Sequence, residues 1–185
     1  MSISNKNKKF SKLAALIVLL FFSVWVISSK DMVVDKNQIF EVKNGSSIGS
    51  VSRELSNRRF IKSELFFTSL SEFLNANKKL QSGYYEILPG MSVWSFIDKI
   101  SKGTVLSTKV TLIEGKTIKF YFNQLSNDPS IKSSGSLDEV MTSIGVNKPY
   151  DGWFFPETYS FNYGESLENV LKRSHLELKK NLKVL

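Results

Sequence analysis

The chain has 185 residues, 42% of them hydrophobic and 12% aromatic, with a formal net charge of +8 and no cysteine. That is enough apolar material for one or two ordinary cores, and it excludes disulfides, thiolate zinc sites and cysteine nucleophiles. Lys6, Lys8, Lys9 and Lys12 carry four of the surplus charges, so subtraction from +8 leaves about +4 for the rest; this is far from the clustered basic stripe that a phosphate backbone requires, and nucleic acid is not an expected partner.

From Leu13 to Ser29 the segment LAALIVLLFFSVWVISS runs seventeen residues without a charge, just long enough to span hydrocarbon as a transmembrane helix. Four lysines precede it, whereas Lys30, Asp31, Asp35 and Lys36 nearly cancel after it. The positive-inside bias therefore keeps residues 1–12 in the cytoplasm as a tail and sends the bulk of the chain outward. Trp25, near the outer end, suits an interfacial aromatic. A cleaved signal peptide is the alternative. No A-x-A site follows, and the run exceeds the about 7–15 apolar residues of such a peptide, which favours an uncleaved single-pass anchor.

The exported part repeats one local pattern: an extended apolar stretch, a glycine, a hydroxyl residue two positions later, then apolar residues spaced by three and four. Gly45, Ser47, Ile48, Val51 and Leu55 form the first copy; Gly90, Ser92, Val93, Phe96 and Ile100 the second; Gly115, Thr117, Ile118, Tyr121 and Leu125 the third. Gly164, Ser166, Leu167 and Val170 begin a fourth, with Ser174 where its fifth apolar residue would stand. Each copy reads as a strand that turns at a glycine tolerant of left-handed backbone and enters a helix capped by a hydroxyl. The strands alternate, as in Leu106, Thr108, Val110 and Leu112, and the fold class predicted is α+β.

Between the first two copies, Ser63 to Asn75 predicts a further helix whose face is Phe66, Leu70, Phe73 and Leu74, and Gly83 to Leu88 a strand, giving a β-α-α-β module from about Gln38 to Leu88. After Asp128 and Pro129 a loop leads to Ser136, whose capping box with Glu139 starts a short helix ended by Gly145. Beyond Ser166, Leu167, Leu171, Leu178, Leu182 and Leu185 form a stripe that runs to the last residue without a cap, which reads as an interrupted domain. His175, the one histidine, is expected opposite that stripe, solvated and without a catalytic or metal role.

The first copy, FEVKNGSSIGSVSREL, resembles the start of a LysM module, a small β-α-α-β unit that binds glycans containing N-acetylglucosamine; Val42, Gly45, Ser47, Ile48 and Val51 carry the likeness. The ordered segments QSGYYEILPGMSVWSFIDKISKG, VTLIEGKTI and YDGWFFPETYSFNYGESLENVLKRSH together resemble the YceG-like family of endolytic murein transglycosylases. The likeness covers nearly all of residues 39–185, and Gly152 to Tyr163 is its most specific piece. It implies a bacterial inner-membrane protein with its bulk in the periplasm, a LysM-like module over residues 38–104, and the N-terminal part of a catalytic domain over residues 105–185. The expected partners are peptidoglycan glycan strands and the membrane, with the cell-wall synthesis machinery a further candidate; no cofactor or metal is expected.

The resemblance also implies a reaction. Lytic transglycosylases cleave the bond between N-acetylmuramic acid and N-acetylglucosamine without water, closing a 1,6-anhydro ring. One carboxyl group protonates the leaving oxygen and, as the conjugate base, takes the proton of the 6-hydroxyl, unlike hydrolases that need two carboxylates at set separations. The family's catalytic glutamate lies in an Ile-Glu-Lys-Glu type segment, which does not occur in these 185 residues, so no residue here is assigned the catalytic role. The family usually has Glu-Gly-Trp where Asp151, Gly152 and Trp153 stand, and Asp at the position of Glu157; acidic character is kept. Glu114, Asp151, Trp153, Glu157 and Tyr159 are the substrate-binding candidates, with the acids ordering turns or positioning substrate. Trp153, Phe154, Phe155 and Tyr159 form either a sugar-stacking wall or a core plug. A non-catalytic, membrane-anchored peptidoglycan-binding protein is the alternative function.

Overall fold

The computed structural model describes Leu19, Ser23 and residues 30–133 and 135–183. Residues 1–12, expected as a cytoplasmic tail, and, but for Leu19 and Ser23, the apolar run 13–29 expected as a transmembrane helix lie outside the described residues, as does Leu185. No helix among the described residues is long and apolar enough to cross a membrane. The structure is a mixture of helices and small sheets, and it divides between Thr104 and Val105 into two compact units.

In the first unit, strand β1 (Gln38–Val42) lies antiparallel to β2 (Gly83–Ile87), with Phe40 opposite Tyr85. Helices α1 (Ile48–Asn57) and α2 (Glu64–Phe73) and a 3-10 turn (Ala76–Lys78) intervene, and α3 (Val93–Lys102) follows. Alternation sends Phe40, Val42, Tyr85 and Ile87 inward. Phe96 of α3 meets Phe40, Tyr85 and Phe67 at ring separations of 5.9, 6.4 and 6.5 Å, so one aromatic cluster joins sheet and helices.

The second unit pairs β3 (Ser107–Thr111) antiparallel with β5 (Thr158–Asn162), placing Val110 opposite Tyr159, and β4 (Ile131–Lys132) parallel with β6 (Glu165–Ser166). Helices α4 (Ile118–Ser126), α5 (Leu137–Ile144) and α6 (Leu167–Leu182) pack around Leu112, Tyr121, Leu125, Met141, Phe161 and Leu171.

All four copies of the strand-to-helix pattern form as the sequence predicts. Gly45, Gly90, Gly115 and Gly164 have φ of 76°, 77°, 71° and 79°, and Ser47, Ser92, Thr117 and Ser166 each accept the backbone N–H three residues on. A Cβ added at Gly45, Gly90 or Gly115 would meet nothing within 4 Å. Glycine is thus demanded there by backbone conformation and not by space. The capping box of Ser136 with Glu139 and the left-handed Gly145 likewise delimit α5.

Two helix faces differ from expectation. In α2 the buried residues are Phe67 and Ser71, while Phe66, Leu70 and Leu74 are half-buried and Phe73 is 77% exposed. Small hydroxyl residues let α1 and α2 approach. Ser52 bonds the Gly49 carbonyl (3.1 Å), Ser71 the Phe67 carbonyl (2.7 Å), and Thr68 the Glu64 carbonyl (2.7 Å), so each hides its polar atom locally. In α6 the buried set is Leu167, Val170, Leu171, Ser174 and His175; Leu178 is half-buried and Leu182 exposed. His175 is therefore corrected from a solvated residue to a buried one: it stands one helical turn after Leu171, on the packed face.

Candidate functional site

The segment from Lys148 to Tyr159 in the second unit is tied down by backbone N–H groups at the start of α4 and just after β3 and by side chains of α5 and α6. Asp151 accepts the N–H of Ile118, the first residue of α4, at 2.7 Å, while Thr117 accepts that of Phe120 at 3.4 Å. Two of the orphan donors at that helix start are thus satisfied, one of them by a carboxylate where negative charge is favoured. At the start of α5, Asp138 accepts the Tyr150 hydroxyl (2.8 Å) and pairs with Lys148 (3.2 Å). The Tyr150 hydrogen bond first, and Lys148 second, hold the Asp138 carboxyl below its ordinary value.

Helix α6 holds the middle of the segment. The Trp153 carbonyl bonds His175 Nδ1 at 2.8 Å, which requires the proton on that nitrogen. Ser174 donates its hydroxyl to the Phe155 carbonyl (3.0 Å) and accepts the Phe155 N–H on its own carbonyl (3.3 Å); Tyr159 donates to the same Phe155 carbonyl at 2.7 Å. The Trp153 indole N–H reaches back to the Pro149 carbonyl (3.0 Å), and Leu112 donates its N–H to the Glu157 carbonyl (3.0 Å). A loop with six aromatic or proline residues from Pro149 to Pro156 is in this way tied at several points to the elements around it, a condition for a binding surface to keep its shape.

Three hollows lie along this segment. A cleft of about 1040 Å³ is lined by the starts of α4 and α5 together with Lys148, Pro149, Tyr150 and Asp151. A hollow of about 380 Å³ shares Thr117, Ile118 and Asp151 with it and adds Gly115, Tyr121, Gly152 and Phe154. The third, of about 240 Å³, is lined by Gly145, Val146, Asn147, Trp153, His175 and Lys179. In it the Trp153 and His175 rings meet edge-on at 5.9 Å, and the His175 Nε2 is buried without a hydrogen-bond partner.

These hollows separate the five sequence-predicted residues. Asp151 borders the two larger ones, and Trp153, 42% exposed, borders the third. Tyr159 lines none of the three: it is buried in the core, where burial pushes its phenol up. Glu114 is exposed at the β3–α4 turn and, after burial, is the second cause that raises the Tyr121 phenol. Glu157 is exposed, and its carbonyl is the part that bonds the fold. The aromatic cluster splits accordingly: Trp153 offers an open face, Phe154 and Tyr159 plug the core, and Phe155 is half-buried.

Sequence reasoning missed Asp138, Lys148, Tyr150, Ser174 and His175. For the last two the signal was present, because Ser174 stands at an apolar position of the fourth repeat and His175 four residues after Leu171. Asp138 lies 10 and 12 residues from its partners, and no local pattern announces such a pairing. Among the described residues no group of three or more His, Cys, Asp or Glu could hold a metal ion.

A family model described as the YceG-like family matches residues 40–184. Among solved structures, the chain is similar to one described as a YceG-like protein from Listeria monocytogenes, at 18% sequence identity and a TM-score of 0.36, with 80% of this chain and 56% of that chain covered. The chain thus spans little more than half the length of that structure. Comparison with curated proteins finds no match.

Proposed function

Because this chain belongs to the YceG-like family, we propose that it is a membrane-anchored member of the endolytic peptidoglycan lytic transglycosylases, acting on bonds between N-acetylmuramic acid and N-acetylglucosamine in nascent glycan strands. The family match over the exported part is the observation that carries the reading. The anchor is the apolar run 13–29, with residues 1–12 in the cytoplasm and the bulk in the periplasm, and the first unit serves as a LysM-like glycan-binding module.

In the reaction of this class a carboxylic acid protonates the oxygen leaving C1 of the muramic residue, the 6-hydroxyl oxygen closes on C1, and the conjugate base takes up the hydroxyl proton, so that no water is consumed. The residues present here supply binding and orientation. Asp151 and the start of α4 border the large cleft, Trp153 offers a sugar-stacking face, and the hydrogen bonds from Ser174 and His175 hold the loop between them. Glu114, Asp151 and Glu157 are all exposed, unlike an acid set in a partly apolar pocket. We therefore assign none of them as the catalytic acid.

The test is incubation of the full 185-residue polypeptide with purified sacculi, scoring sedimentation and release of 1,6-anhydro muropeptides. Binding without release is expected, since losing general acid catalysis costs about a hundredfold to ten-thousandfold in rate. Release that is abolished by Asp151→Asn or Glu157→Gln would overturn the assignment. The exposure of all three acids also favours a second reading, a non-catalytic anchored glycan-binding protein. The coding sequence beyond Leu185 discriminates: an Ile-Glu-Lys-Glu segment supports the enzyme, and its absence supports the binder.

A further inference from the structure

The first unit is fastened to the chain at its very entrance. Val93, the first residue of α3, donates its N–H to the Lys30 carbonyl at 2.8 Å; Met32 donates to the Met91 carbonyl at 2.8 Å; Asp31 bridges Ser92; and Val33 donates to the Phe60 carbonyl at 2.7 Å. The uncharged apolar run ends at Ser29, one residue before this clamp. One residue of extended chain reaches only about 3.5 Å. The polar layer on each side of the hydrocarbon is itself about 5–8 Å deep.

A run that spans the bilayer therefore leaves the start of α3 no room to stand away from the headgroups. Trp94, the second residue of α3, is 52% exposed there. An indole is the side chain best suited to a headgroup layer, with an apolar body and one N–H. Val33 is exposed on the same clamped segment, and Lys30 and Asp31, both exposed, cancel in charge. The contact is then apolar and interfacial and does not depend on anionic lipid.

We propose that the start of α3 is a membrane-docking face, with Trp94 seated in the lipid headgroup layer and the first unit held against the bilayer. The proposal rests on the reading that residues 13–29 span the membrane. It gives the first unit a fixed height above the bilayer where a tether would have let it swing.

The test is reconstitution of the full chain into phosphatidylcholine vesicles brominated either just below the headgroup or deep in the acyl chain. In a W25F/W153F variant the remaining Trp94 is expected to emit at blue-shifted wavelength and to be quenched more strongly by the shallow bromines. In a W153F background, Trp94→Phe should reduce the shallow-quenched emission to the share that Trp25, at the outer end of the run, contributes by itself. Release of the chain by alkaline carbonate would overturn the spanning reading and the docking with it. A chain that stays in the membrane while Trp94 emits as in water and is not quenched would overturn the docking alone.

Discussion

The Phe155 carbonyl accepts two hydroxyls, from Ser174 at 3.0 Å and Tyr159 at 2.7 Å, which makes a double-mutant cycle informative. Ser174→Ala removes a fully buried hydroxyl but leaves the carbonyl bonded to Tyr159. The loss is then that of one net hydrogen bond, about 1 kcal/mol, and not the larger penalty of an orphaned acceptor. Tyr159→Phe keeps the buried ring and should lose a similar amount. The double variant strips the carbonyl of both hydroxyls, so its loss should exceed the sum of the two by about 1 kcal/mol. Urea unfolding followed by Trp153 fluorescence in a W25F/W94F background reads this unit alone among the tryptophans. At the size of this unit, each kcal/mol also corresponds to a fall in Tm of about 4–8 °C. Strict additivity would refute the reasoning, because it would mean that water takes over the carbonyl as soon as the hydroxyls leave.

Asp151→Ala should destabilise the second unit by about 0.5–1.5 kcal/mol through the uncapped Ile118 N–H, while Asp151→Asn, which keeps an acceptor, should recover most of that loss in thermal unfolding. The Asp138 carboxyl is held below its ordinary 3.8 by the Tyr150 hydroxyl and then by Lys148. Its folded form thus favours the ionised state, and the stability it contributes is present above that value and lost as pH falls through the lowered one; Asp138→Asn should flatten the acid limb of a stability-versus-pH curve below about pH 4. The Tyr150 phenol is raised, chiefly by the same hydrogen bond, so Tyr150→Phe should remove a stability contribution that otherwise declines on the alkaline side, as pH rises through the raised value. An alkaline phosphatase fused after Thr104 should be active outside the cytoplasm, and a mature protein lacking its first residues through Ser29 would show cleavage in place of anchoring.

The four strand-to-helix transitions were readable because each depends on residues within about ten positions of one another: a glycine whose φ must be positive, a hydroxyl that caps, and a stripe at helical spacing. The faces of α2 and α6 were misread where burial is polar. Ser52, Ser71 and Ser174 are fully buried, yet hydropathy marks serine as indifferent, and only the backbone carbonyl that each hydroxyl meets makes its burial tolerable. His175 was misplaced for the same reason. The candidate site was legible only in part as a segment, since Asp151, Gly152, Trp153, Phe154 and Pro156 border the hollows while Glu157 and Tyr159 do not. It was not legible as an arrangement, because Asp151 and Trp153 turn to different sides and the bond that places Asp151, to Ile118, spans 33 positions.

The hydrogen bonds between Trp153 and His175, 22 positions apart, and between Phe155 and Ser174, 19 apart, close a chain loop that contains all of β5 and β6. Such a closure makes the loop and the middle of α6 one cooperative unit for opening. The Phe155 amide should then show the slow hydrogen exchange of a helix interior and not the fast exchange of a surface turn. Whatever pulls Trp153 away from His175 must also loosen α6, so occupancy of the small hollow beside them would be felt along the helix as a change in amide protection.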